Sequence, residues 1–184
     1  MLYETRPDDG KLKELIIYIS QISEGDDTYG ATKLNKLLFF ADFIAYRNFG
    51  RSITGHEYQK LPQGPAPRRL LPIQREMQEL GEIAIRENGY FRYRQKRTVP
   101  LREADLSMFT PEEIDLVNRL VNKWRNQTAQ AISEFSHRFR GWCSAEEGET
   151  IPYEVALIGD RQPSAEEIEY GRSLEVLAGE CVGG

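Results

Sequence analysis

A stretch with almost no polar side constrains this chain most. From residue 33 to residue 46 it reads Lys-Leu-Asn-Lys-Leu-Leu-Phe-Phe-Ala-Asp-Phe-Ile-Ala-Tyr. Leu34, Leu37, Leu38, Ala41, Ile44 and Ala45 form one stripe at helical spacing, and Phe39, Phe40, Phe43 and Tyr46 cover most of the remaining circumference. A helix that is apolar nearly all round must be buried on several sides. The expected fold is therefore built around this helix as a central post. Lys33, Lys36 and Asp42 interrupt the apolar surface. Lys36, one turn before Phe40, is expected to stretch along apolar surface with its charge at the edge. A carboxylate such as Asp42 needs a partner or water there, and a structural ion pair is the simplest expectation. The bolder alternative is a polar anchor in a partner groove.

Other elements gather around the post. Leu12, Leu15, Ile16, Ile19 and Ile22 predict a first helix over 11–22, broken by Gly25-Asp-Asp-Thr28. Thr28 or Thr32 is expected to cap the central helix, which should end near Gly50. Residues 53–61 read as extended, with a turn over 62–67. A helix is expected over 68–80, with Pro72 either kinking it or marking its true start. Residues 82–97 predict a β-hairpin that reverses at Asn88-Gly89, the favoured pair for a tight turn. Thr110-Pro111-Glu112-Glu113 is a capping box with proline at the first helical position. Ile114, Val117, Leu120, Val121 and Trp124 should form the buried stripe of the helix that follows. Thr128 should cap another, with Ile132, Phe135 and Phe139 facing inward. Residues 151–158 form a short element of no assignable type, and Ser164 should cap a last helix to about Leu177. The fold class expected is mainly α (α+β), a compact helical domain with a small β-hairpin. The order helix, helix, hairpin also fits a winged-helix-like arrangement. The domain is expected over 1–158, with an acidic helix and frayed tail over 159–184.

Bulk properties exclude some roles. A chain of 184 residues fits one domain with a single core. No run of about 18 apolar residues is present, so no membrane partner is expected, and the polar N-terminus lacks a signal-peptide core; a cytoplasmic protein is the expectation. Cys143, Cys181, His56 and His137 show no paired metal-ligand spacing, so neither a metal nor a cofactor is expected. There is no phosphate loop, nucleophile elbow or zincin motif, and Ser136-His137 are neighbours that a helix would not turn towards each other. An enzyme is not expected, and no catalytic residue is assigned.

The net charge of −5 is unevenly spread. Arg86, Arg92, Arg94, Lys96, Arg97 and Arg102 crowd the middle against Glu87 alone, whereas residues 141–184 carry ten acids and two bases. A hairpin bearing Arg92, Tyr93 and Arg94 has the composition of an interface hot spot. It could instead grip phosphates as a DNA-binding wing, although a pI near 5.3 runs against the basic signature of nucleic-acid binders.

The ordered series Lys33 to Asp42, then Thr54-Gly55-His56-Glu57-Tyr58, then Gly64-Pro65 resembles the Panacea domain, also called the SocA-like antitoxin domain. That family opens with Lys-Leu-x-Lys-Leu-Leu-aromatic and a small-residue/Asp step, followed by Thr-Gly-x-x-Tyr and Gly-Pro. Weaker echoes follow in Ser133-Glu-Phe-Ser-His137, Trp142, Gly148 and Ile151-Pro-Tyr-Glu154, so the resemblance spans roughly 33–154. It implies an antitoxin that neutralises a cognate toxin by direct protein contact, with the toxin's identity open. Because the resemblance begins close to the first residue, no added N-terminal DNA-binding module is expected. Leu34, Leu37, Leu38, Phe40, Asp42, Tyr58, Trp124 and Trp142 are the motif and core residues on this reading. Gln63, Gly64, Pro65, Arg92, Tyr93 and Arg94 are the candidate toxin interface. The alternatives are a winged-helix-like DNA-binding or phage-associated regulator, and a proteolytic adaptor that delivers a toxin to a protease. A homo-oligomer remains open.

Overall fold

The computed structural model describes residues 6–90 and 93–158. Helix α1 (Asp9–Ile22) starts where the Asp8 side chain accepts the Lys11 amide, two residues before the expected start. Helix α2 (Ala31–Phe49) is the central post, with Leu34, Leu37, Leu38, Phe39, Phe40, Ala41, Phe43, Ala45 and Tyr46 all buried. It ends at Gly50, whose left-handed backbone (φ 72°) returns its amide to the Tyr46 carbonyl. Neither Thr28 nor Thr32 caps it: the N-cap is Gly30, with no side-chain cap. Thr28 is drawn off because its hydroxyl and amide both donate to Asp26.

Strands β1 (Tyr58–Gln59) and β2 (Ala66–Pro67) pair antiparallel across the Gly64 turn, so only two residues of the expected extended run are in a sheet. Helix α3 (Leu70–Glu79) begins two residues later than expected. Pro72 lies in its first turn, where backbone N–H groups have no intrahelical acceptor to lose, so it marks the start and does not kink the helix. The hairpin comprises β3 (Ile83–Tyr90) and β4 (Tyr93–Pro100). Its reversal is not at Asn88-Gly89. Those residues lie within β3, opposite Gln95 and Arg94, and pairing continues to Tyr90 and Tyr93. Register follows burial at the hairpin base, where Ile83 and Thr98 pack inside and Gln74 donates to Thr98. A one-residue slip would exchange the two faces, so local turn preference loses.

Helix α4 (Pro111–Trp124) carries the reciprocal capping box, with Thr110 accepting the Glu113 amide and Glu113 accepting the Thr110 amide. Leu116, Val117, Leu120, Val121 and Trp124 face the core, while Ile114 is only half-buried. Helix α5 (Ala129–Ser136) is capped by Thr128, and α6 (Arg140–Ser144) follows. Strand β5 (Thr150–Ile151) adds to β1, completing a small sheet in the order β2-β1-β5. A 3-10 turn over Tyr153–Leu157 completes the element that sequence could not assign. The result is a mainly helical α+β fold with α2 at its centre. The expected helix after Ser164 lies outside the described residues.

Candidate functional site

Lys33, Lys36 and Asp42 of α2 each fasten a different loop to the post. Asp42 is fully buried, yet no lysine or arginine pairs with it among the described residues. Its Oδ1 accepts the Thr54 amide at 2.7 Å, and its Oδ2 accepts the Thr54 hydroxyl at 2.5 Å and the Tyr58 hydroxyl at 2.6 Å. The expected ion pair at Asp42 is therefore corrected to a carboxylate held by hydroxyl and amide donors. Burial pushes its carboxyl above the usual range, against those hydrogen bonds, which favour the anion. Gly55 sits inside this joint at φ 70°, and a Cβ there would meet the Arg6 carbonyl oxygen at 2.1 Å. The buried Tyr153 hydroxyl donates to the His56 carbonyl at 2.6 Å, which ties the end of the small sheet to the same loop. The buried His56 ring has Nε2 3.2 Å from Asp9 Oδ1 without completing a hydrogen bond.

Lys36 fastens the second loop. Its ammonium is not at an edge: the side chain is 2% exposed, and Nζ donates to the Pro65 carbonyl at 3.0 Å. Burial pushes it down to about 8. The lysine passes under Gly64, where an added Cβ would lie 2.5 Å from Ser136 Oγ and 2.6 Å from Lys36 Cε. Lys33 fastens the third, pairing with Asp26 at 2.5 Å and donating to the Gln127 carbonyl at 2.9 Å. The loops before α2 and before α5 thus share one buried cation. Burial works against charge on Asp26, but the hydrogen bonds from Lys33 and Thr28 outweigh it and hold the carboxyl below its ordinary range.

Among the interface candidates, Gln63 is exposed, whereas Gly64 and Pro65 are buried beneath the turn they form. Gln63 accepts the Ser133 hydroxyl through its carbonyl. Tyr93 and Arg94 lie in β4, and Arg92 lies outside the described residues. The basic middle of the chain is partly internal. Arg97 donates to the Ser23, Glu24 and Asp26 carbonyls just beyond α1 and lies over the Tyr29 ring. Arg102 pairs with Glu14 and Glu82. Neither guanidinium is available for a phosphate-gripping wing. Trp142 is half-buried, stacked on His137 at 4.1 Å, with Lys60 Nζ 4.3 Å above it and its Nε1 donating to the Leu61 carbonyl. Trp124 is buried and stacks parallel to Phe40.

Sequence reasoning missed an open groove. A groove of about 650 Å³ runs between α2, α4, α5 and the 3-10 turn. Phe40, Trp124 and Phe135 form its floor, with Phe135 39% exposed. That corrects the expectation that Phe135 faces inward. Of the expected stripe, Ile132 is buried and Phe139, beyond the end of α5, packs on Phe39 and Phe43, while Phe135 is left at the surface because Trp124 already fills the space against Phe40. Leu157 and Ile158 stand exposed at the lip. Arg47, Lys123 and Arg138 line the sides, with Lys123 Nζ 4.8 Å from the Phe135 ring centroid. Spacing could not reveal this groove, because its residues come from α2, α4, α5, α6, the 3-10 turn and the segment between α5 and α6.

Among the described residues no group of side chains could hold a metal ion, and no helix is long and apolar enough to cross a membrane. What the fold offers is a rigid helical scaffold with an aromatic, cationic groove, the makings of a binding protein. The chain belongs to the family described as antitoxin SocA-like, Panacea domain, whose model matches residues 34–143. No match was found among curated proteins or among solved structures. Membership points to a toxin–antitoxin-related, non-catalytic role.

Proposed function

We propose that this chain is an antitoxin that neutralises a cognate toxin protein by direct binding. Family membership carries the reading. The matched segment holds most of α2, with Lys36 and Asp42 and the loops they fasten, whereas Lys33 and Asp26 lie just before it. The groove adds exposed aromatic and cationic surface of the composition that dominates protein interfaces. To act, the chain must cover or distort the toxin's working surface, so inhibition should track complex formation one to one. The test is co-expression with the toxin candidate encoded beside it, scoring growth rescue and recovery of a stoichiometric complex. Rescue without a complex would refute contact neutralisation, and toxicity unrelieved by this chain would refute the antitoxin role.

A further inference from the structure

The groove on α2, α4 and α5 is separate from the Gln63–Pro65 turn and from the hairpin, and its chemistry is one-sided. Its floor is aromatic and its lip aliphatic, and no carboxylate lines it among the described residues. None of Arg47, Lys123 and Arg138 is in an ion pair among the described residues. In a chain of net charge −5, such a cluster of unpaired cations around an apolar floor is a local reversal of sign. Lys123 lies over the Phe135 and Trp124 rings, which places its ammonium at the boundary between floor and rim.

We propose that this groove is the docking site for an acidic amphipathic segment of the partner protein, one that presents large apolar side chains flanked by Asp or Glu. The apolar side chains would cover Phe135, Leu157 and Ile158, and the carboxylates would meet Lys123 and Arg138. Charge complementarity selects this occupant: a basic segment would face the like charges of Arg47, Lys123 and Arg138 beside that of Arg140, and an uncharged one would leave the first three unanswered as the rim loses water. An amphipathic segment laid in a groove is a recurrent mode of recognition. The antitoxin reading supplies the identity of the partner, whereas the preference for acidic apolar segments stands on the groove alone.

Two measurements on the full chain decide it. In the first, a fluorescein-labelled synthetic amphipathic peptide with Leu and Phe on one face and Glu on the other is titrated with the chain, and its Lys counterpart is titrated in parallel. The Glu peptide should bind at least tenfold more tightly, weaken as salt rises, and lose binding to K123E/R138E and to Phe135→Asp. Lys123 and Arg138 are exposed, so K123E/R138E should keep the wild-type Tm, whereas Phe135→Asp gives up ring contacts with Phe40 and Trp124 and should lower it. Equal binding of both peptides, or binding unchanged in the variants, overturns the proposal. In the second, the same variants are co-expressed with the toxin. Loss of rescue and of the complex supports the groove as the toxin's site. Rescue at wild-type level while the wild-type complex forms leaves the antitoxin role intact and overturns the groove as its site. A wild-type chain that neither rescues nor binds refutes the antitoxin reading, and the peptide titration then still decides the groove's chemistry. Residues 159–184 hold six acids and follow directly on the groove lip. If charge reversal at Glu166, Glu167 and Glu169 releases peptide binding to the wild-type groove, the occupant is this chain's own segment and the partner proposal falls.

Discussion

Replacing Lys36 with methionine should stabilise the protein at neutral pH, and the gain should fade as pH rises. Lys36 is 2% exposed, its one hydrogen bond is to the Pro65 carbonyl, and burial pushes it from 10.5 down to about 8. That drop corresponds to about 3 kcal/mol by which folding disfavours the charged amine. Between the two values the folded chain holds fewer protons than the unfolded one, so stability rises with pH across that window. Below about 8 the cost is present in full. Methionine fills a similar unbranched volume without charge. It also strips the Pro65 carbonyl of its donor, at a cost of about 1–3 kcal/mol. The variant should therefore be more stable than wild type by about 0–2 kcal/mol near pH 7, and its advantage should shrink by about 2–3 kcal/mol by about pH 10. Urea unfolding of both chains across that range measures it. Burial raises the buried tyrosines Tyr29, Tyr58 and Tyr153 above their ordinary range, so stability falls in strongly alkaline solution, but it falls in both chains and cancels in the difference. A stability difference that stays constant from neutral to alkaline pH would refute the reasoning. So would a variant weaker by about 3 kcal/mol at pH 7, since that would show the ammonium to be stabilised by its site.

Other substitutions test the remaining joints. Asp42→Asn leaves at least one of the Thr54 and Tyr58 donors without an acceptor and should cost about 2–4 kcal/mol in urea unfolding; a loss below about 0.5 kcal/mol would mean the carboxylate does not hold the loop. Asp26→Ala strands the buried Lys33 ammonium and should cost about 3–5 kcal/mol, much of it recovered by adding Lys33→Met, as a double-mutant cycle would reveal. Gly64→Ala places a methyl against Ser136 and Lys36 at φ 96° and should cost at least about 2 kcal/mol, whereas the exposed Gly148→Ala, with open space around it, should cost only its backbone strain of about 1 kcal/mol. Thr110→Ala removes one half of the capping box and should lower stability by about 1 kcal/mol, with α4 amides exchanging faster near its start.

The comparison of expectation with structure is most instructive along α2. Its role as the post followed from composition at helical spacing, because an all-round apolar helix has no stable exposed arrangement. The duties of its three polar residues did not follow. Asp42 meets Thr54 and Tyr58 and Lys36 meets Pro65, both across loops, whereas Lys33 meets Asp26 nearby and Gln127 far along the chain. The series that carries the resemblance, Lys33, Lys36, Asp42, Thr54-Gly55, Tyr58 and Gly64-Pro65, is one set of joints, spaced irregularly in sequence because its members meet across loops.

Elsewhere local signals competed with packing. The capping boxes and caps at Thr110 and Thr128 were legible because each is a bond among residues three apart. The hairpin reversal was not, because Asn88-Gly89 is a local preference whereas register is fixed by burial of Ile83 and Thr98 at the far end. Phe135 was misplaced for the same reason: its spacing matches an inward stripe, but Trp124 from another helix occupies that space.

By itself, the sequence determined the mainly helical class, the central helix, the capped starts of α4 and α5 and the family, since each rests on periodicity, short-range hydrogen bonding or a matched order of residues. Only the tertiary structure decided which buried polar groups are paired, where the hairpin turns and that aromatic and cationic side chains of α2, α4, α5 and the 3-10 turn gather into one open groove. Those outcomes depend on which elements compete for the same space, and that competition is settled between residues far apart in the chain.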